Sequence, residues 1–304
     1  MIRKRRFIIG LTACLAAGTI AAGCGGDDSA DSDKPAVTIA NKGFAESNVI
    51  AEAYKQALED EGFPVTLKPL TSTAVADAAI RKGDIDIYPD YTTTLLTDVL
   101  KVENPPTDVD EQVTKIREAF ADRGLTVLDV APFNNDNQVA CTKAAVDAHS
   151  LKTLSDLGKA SSQLVYSANP EHTTRADGLP LLESEYGVKF KRVIKVDISL
   201  RYRPIEDGDA DCVYAFGTDA KIAANNLVVL EDDKGLFGGA PYQGIPVVSQ
   251  AFLDAAPAAF ADTVNAVSAK LTDDEVRRMN KEVELDKEDP DVVAADFLER
   301  NDLT

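Results

Sequence analysis

The sequence predicts an α/β protein of two lobes joined by two chain crossings. From residue 36 on, short β-branched runs alternate with amphipathic runs, the order of a parallel sheet covered by helices. The polar run Asn134-Asn135-Asp136-Asn137 then breaks that alternation before it restarts. A Gly/Pro-rich return, Gly235-Leu236-Phe237-Gly238-Gly239-Ala240-Pro241-Tyr242, precedes a helical C-terminal part.

In chain order, 36–40 reads as a strand and Asn41-Lys42-Gly43 as the loop after it. Residues 44–61 are a helix, with Val49, Ile50, Ala53, Tyr54, Ala57 and Leu58 on one face. Residues 65–70 are the second strand. Ser72 or Thr73 caps the next helix, which Gly83 closes. Ile85 and Ile87 alternate with Asp84 and Asp86 as a third strand. Pro89 is expected to stop its pairing and leave Asp90-Tyr91 in a loop before a helix over 94–100. Tyr88 is expected to pack. A helix over 109–123 and a strand over 125–128 complete this half.

Beyond the polar run, strands are expected at 138–142, 163–167, 192–194, 211–216 and 227–230, with helices at 154–157 and 180–186. Thr272-Asp273-Asp274-Glu275 is a capping box, and Asp289-Pro290 opens the last helix. The expected division is 36–134 with 240–304 in one lobe and 135–239 in the other.

The first residues are read as targeting sequence. Arg3-Lys4-Arg5-Arg6 is a positive region, an apolar run follows, and Ala21-Ala22-Gly23-Cys24 ends it. Small residues before a cysteine are similar to a bacterial lipobox, which makes 1–23 a signal peptide and Cys24 the lipidated residue. A plain secretory cleavage site is the alternative. Residues 24–35 are a polar Gly/Ser/Asp-rich tether. Removing 1–23 takes four positive and no negative charges from the net −19, leaving about −23. That charge argues against a nucleic-acid partner. Export predicts a Cys141–Cys212 disulfide, with two buried thiols in adjacent strands as the alternative.

Catalytic signatures are missing: no G-x-S-x-G, H-E-x-x-H, P-loop or GxGxxG after a strand. The two histidines, His149 and His172, have no companions at metal spacing. No cofactor or metal is expected. Aromatics gather instead where strands end. Tyr91, Phe216 and Tyr242 suit a quaternary ammonium by cation–π attraction, and the loop cations Lys42 and Arg175 suit a carboxylate.

Several motifs in order resemble one family. They are Asn41-Lys42-Gly43-Phe44-Ala45-Glu46-Ser47, Ser72-Thr73-Ala74-Val75, and Gly83 through Thr94. Arg175-Ala176-Asp177-Gly178, Leu200-Arg201-Tyr202 and Ala215-Phe216-Gly217-Thr218-Asp219 follow. From about Val37 to Leu303 the chain resembles the substrate-binding proteins of glycine betaine/choline (osmoprotectant) ABC transporters. The resemblance implies a two-lobed periplasmic-binding-protein-like fold of type II with two hinge crossings. It also implies a monomeric, non-enzymatic receptor on the outer face of the cytoplasmic membrane. Such a receptor serves ABC permease transmembrane subunits and their ATPase. Tyr91, Phe216 and Tyr242 would wall the site, Thr94 would hydrogen-bond, and Lys42 and Arg175 would hold a carboxylate. Gln138 stands where the family commonly has Tyr, and is taken as a site residue that admits a more polar ligand. A receptor for an amino acid or other polar zwitterion therefore stays open, as does an exported enzyme on the same scaffold.

Overall fold

The protein is described by a computed structural model over residues 34–237 and 239–304. The leader, Cys24 and nearly all of the tether fall outside these described residues. The first sheet contains β1 (Val37–Asn41), β2 (Val65–Pro69), β3 (Ile87–Tyr91) and β4 (Leu125–Val127). The second contains β5 (Asn137–Thr142), β6 (Val165–Ala168), β7 (Arg192–Lys195), β8 (Cys212–Phe216) and β9 (Leu227–Val229). The chain then returns, and β10 (Gly244–Ser249) joins the first sheet. The strand orders are β2-β1-β3-β10-β4 and β7-β6-β8-β5-β9.

The strand–helix alternation predicted parallel sheets, and both are mixed. β1 is parallel to β2 and β3, and β6 to β7 and β8. β10 runs antiparallel between β3 and β4, and β5 antiparallel between β8 and β9. β5 and β10 are the strands that directly follow a crossing. Each arrives at the ends where the parallel strands finish, so it must run back against them. The crossings touch: the Asn135 N–H donates to Tyr242 O at 3.0 Å, and the Tyr242 N–H to Asn134 Oδ1 at 2.7 Å.

Pro89 does not end its strand. β3 continues to Tyr91, and Pro89 lies opposite Pro246 of β10. Neither proline has an N–H to give, so they oppose each other at a pair that exchanges no ladder bond. Bonds on either side fix that register: Thr92 N–H to Gln243 O at 3.0 Å and Ser249 N–H to Asp86 O at 2.9 Å. Tyr91 is therefore held by a sheet and not by a loop. At Gly244 any Cβ would come within 2.3 Å of the Phe133 ring, so only glycine fits against the first crossing.

The predicted amphipathic helix is α1 (Ala45–Asp60), whose buried face holds Val49, Ile50, Ala53, Tyr54, Ala57 and Leu58. It packs on the C-terminal helices Ala259–Lys270 and Pro290–Arg300, where Tyr54 and Ser268 share a 2.8 Å hydrogen bond. Ser72 caps α2 (Thr73–Arg81) by accepting from the Val75 N–H. α3 (Thr92–Thr94) starts directly at the end of β3, two residues before the expected helix, and widens into a π-type turn over Leu95–Val99. Cys141 and Cys212 face each other across the β5–β8 ladder with Cα atoms 4.0 Å apart, and are disulfide-bonded.

Candidate functional site

Strand ends from both sheets and the two crossings meet around a cavity of about 30 Å³. Lys42, Tyr91, Thr94, Arg175, Phe216 and Tyr242 all line it. Gln138 does not. Strand residues alternate faces, so in β5 Asn137 reaches the cavity while Gln138 turns away to donate to Asp136 at 3.2 Å. Gln138 borders a separate hollow beside Asp136 and Phe237. The expectation that it contacts the ligand is corrected on that ground.

Lys42 follows β1, and its backbone N–H donates to Ser47 Oγ at 2.8 Å. Its ammonium donates to Asp90 Oδ1 at 2.8 Å and to Thr73 Oγ1 at 3.2 Å. It lies 4.8 Å from the centre of the Tyr91 ring. Arg175, in the loop after β6, donates through Nε to Asp177 Oδ1 at 2.8 Å and through Nη2 to Asp177 Oδ2. Nη2 also reaches Thr94 Oγ1 at 3.2 Å. Burial pushes the Asp177 carboxyl up, but the Arg175 guanidinium outweighs it and holds it below its ordinary value. Both cations expected to hold a ligand carboxylate thus already have partners within the chain.

A relay of hydrogen bonds crosses the site. Tyr214 donates to Asn137 Oδ1 at 2.6 Å, Asn137 Nδ2 to the Tyr242 hydroxyl at 2.9 Å, and Tyr242 to Asp177 Oδ2 at 2.9 Å. A second hub sits behind Tyr91. Glu46 is fully buried and accepts from Tyr91 at 2.6 Å, Asn135 at 2.7 Å, Thr218 and Asn280. Burial raises its carboxyl above the ordinary value, against the pull of those donors.

The sequence reading missed several wall residues. His172 stacks on Tyr214 with centroids 3.8 Å apart, and its Nε2 pairs with the Tyr166 hydroxyl at 3.1 Å. Burial, then the nearby Arg175, push its imidazole down to about 3, so it is neutral at physiological pH. Tyr214 stands two residues before Phe216 in β8, on the same face of the strand, so period-two alternation counted back from Phe216 is the signal that would have found it. Asn135 and Asn137 belong to the polar run read only as a crossing. Glu171 and Asn169 carried no recognisable pattern. Across Lys42, Thr71, Asn169, Glu171, Arg175 and Ile198 the cavity adjoins an open hollow of about 630 Å³. Among the described residues no acidic, histidine or cysteine cluster could hold a metal ion.

Aromatic walls, paired charges and polar amides suit the capture of a small polar cation or zwitterion. Nothing in them activates a nucleophile. Comparison with known proteins agrees. The profile of a family described as the substrate binding domain of ABC-type glycine betaine transport system matches residues 35–300. The chain is 30% identical over 270 residues to the ergothioneine transport permease/ergothioneine binding protein EgtU of Helicobacter pylori. That match covers 88% of this chain but 48% of the relative, so the chain spans about half of that protein's length. It is 27% identical over 275 residues to the carnitine transport binding protein OpuCC of Listeria monocytogenes, covering 89% and 88% of the two chains. A crystal structure of a glycine betaine/carnitine/choline ABC transporter superposes with a TM-score of 0.67 at 29% identity, over 88% of this chain and 99% of that one. A choline binding protein in complex with choline shares the fold at 16% identity with a TM-score of 0.67, over 88% of this chain and 89% of that one.

Proposed function

The chain belongs to the family of substrate-binding domains of ABC-type glycine betaine transport systems, and we propose that its cavity captures a quaternary-ammonium osmolyte of the glycine betaine, carnitine or choline kind for import. The family binds solutes for transport and is not enzymatic. One observation carries the ligand reading: Tyr91, Tyr214, Phe216 and Tyr242 converge on one buried cavity that also holds Lys42 and Arg175.

Each well-placed ring contributes about 0.5–2 kcal/mol to holding an ammonium. Tyr91 and Phe216 each already carry a protein cation on one face, Lys42 at 4.8 Å and Arg201 at 4.7 Å. Asp90 and Asp219 neutralise these cations, which limits their repulsion of a third charge. The ligand carboxylate takes donors left over from the internal pairs. The bonds described use two of the three Lys42 protons, and three of the N–H groups of Arg175.

The rest of the organisation is proposed with it. Residues 1–23 leave as a signal peptide, Cys24 takes lipid, and 24–35 tether the receptor to the outer face of the membrane. Residues 36–134 with 240–304 form one lobe and 135–239 the other. The receptor works as a monomer and passes its cargo to ABC permease transmembrane subunits driven by their ATPase. A second reading, a betaine built on a heteroaromatic amino acid, is favoured by the similarity to an ergothioneine binding protein.

A thermal-shift panel tests the reading. Glycine betaine, choline, carnitine and proline betaine should raise the melting temperature in proportion to affinity, because a ligand that binds only the folded state stabilises it by mass action. Free amino acids should not. The opposite ranking would reject the quaternary-ammonium site.

A further inference from the structure

Two segments from opposite halves of the fold meet at the cavity. Phe44 directly precedes α1, which packs on the first sheet, and Phe216 ends β8 in the second. Both rings line the cavity, and their centroids lie 5.9 Å apart. Two residues further along each segment, Glu46 and Thr218 also meet, and Thr218 Oγ1 donates to Glu46 Oε2. Neither lines the cavity, and they are only 3% and 1% exposed.

Glu46 gathers donors from four separate segments. Tyr91 at the end of β3 and Asn135 in the first crossing donate to Oε1. Thr218 and Asn280, the latter in the helix Asp273–Lys281, donate to Oε2. A carboxylate offers about four lone-pair positions, so all are taken. Asn280 Nδ2 also donates to Thr218 O at 3.0 Å, which fixes the same contact from the other side. Of the four donors, Thr218 alone follows a strand of the second sheet. Toward the open hollow the direct bonds between the halves are longer, Arg175 to Thr94 at 3.2 Å and the Thr73 N–H to Glu171 at 3.3 Å. A buried carboxylate is costly unless its lone pairs are met, and bonds to a charged acceptor are the strong ones. Drawing the second half away would strip Thr218 from Glu46 and part Phe216 from Phe44 together. Resting on the reading of this cavity as the quaternary-ammonium site, we propose that Glu46 is a positioning residue: it accepts from Thr218 only when the halves enclose the ligand, and so favours the arrangement in which the aromatic walls meet.

Calorimetry on the full chain with glycine betaine and choline tests this, alongside urea unfolding of the same variants. Thr218→Val keeps the shape and removes the hydroxyl. It should weaken both ligands about tenfold, the loss of one hydrogen bond to a charged group. Thr218→Ser keeps the hydroxyl and should bind as the wild type does. Glu46→Gln should weaken both ligands about threefold, since its amide keeps only a neutral bond to Thr218. The double variant should lose no more than Thr218→Val alone, because both changes break one link. Tyr54→Phe removes another buried hydrogen bond of α1, to Ser268, that joins nothing in the second half. It should lower stability and leave both affinities within about twofold. Thr218→Val with wild-type affinity, or losses that add in full in the double variant, would overturn the inference while the quaternary-ammonium site stands. Should Glu46→Gln fail to fold, the comparison of Thr218→Val with Thr218→Ser decides alone. A wild type that binds neither ligand would overturn both.

Discussion

Tyr91 performs two separable tasks with one side chain. Its ring lines the cavity, packed edge-on by Phe133 at 6.3 Å. Its hydroxyl is one of four donors to the buried Glu46. Tyr91→Ala should weaken quaternary-ammonium binding about tenfold, the loss expected for one buried ring. Tyr91→Phe keeps the ring and removes one donor from a buried carboxylate. It should cost about 1–3 kcal/mol of folding stability and leave affinity within about threefold. Calorimetry and urea unfolding of the two variants separate the tasks, and a Phe variant that binds as poorly as Ala would place the hydroxyl at the ligand. At this scale the sequence carried type but not direction. Asn137 and Gln138 are adjacent polar residues in one strand, and composition cannot say which faces in. The pairing of β5 with β8 decides it, and that pairing is a long-range fact.

The least legible element was β10. Gly244-Ile245-Pro246-Val247-Val248-Ser249 has a proline in its centre, which argues against a central strand. It becomes one because toward β3 Pro246 stands at a pair that exchanges no ladder bond, and toward β4 its carbonyl still accepts from the Leu128 N–H at 3.0 Å. That placement depends on a partner 157 positions away (246 − 89), which no local window contains. The α1 face, by contrast, was readable residue by residue, because 3.6-residue periodicity is local. β5 and β8 carry their own constraint in the Cys141–Cys212 disulfide, which closes a long loop (sequence separation 71). Restricting the unfolded chain over such a loop is worth about 2–4 kcal/mol. The double variant Cys141→Ala/Cys212→Ala should lose about that much in urea unfolding. Its affinity should change little, since neither cysteine lines the cavity. Unchanged stability would mean that the ladder alone sets the strand pairing.

Across the whole molecule, the charges at the crossings lie against groups from the opposite sheet. Glu284, in the turn Glu282–Asp286 of the C-terminal part, feels Asp219, Arg201 and Lys221 from the second half and Glu46 from the first. Burial first and Asp219 second push its carboxyl up to about 7, against the pull of Arg201 and Lys221. Its Oε2 is buried without a hydrogen-bond partner. The folded chain therefore holds a proton that the unfolded chain, at the ordinary value of 4.5, releases earlier. Stability from this group is fully present below pH 4.5 and is lost as the pH rises to about 7. Above that, folding keeps a buried carboxylate beside Asp219 that Arg201 and Lys221 offset only in part. Glu284→Gln mimics the protonated side chain at every pH. Its melting temperature relative to the wild type should rise between about pH 4.5 and 7 and then level off, following the proton linkage. A difference that stays constant from pH 4.5 to 8 would show that Glu284 titrates normally and that the two halves place no titrating charge against each other there.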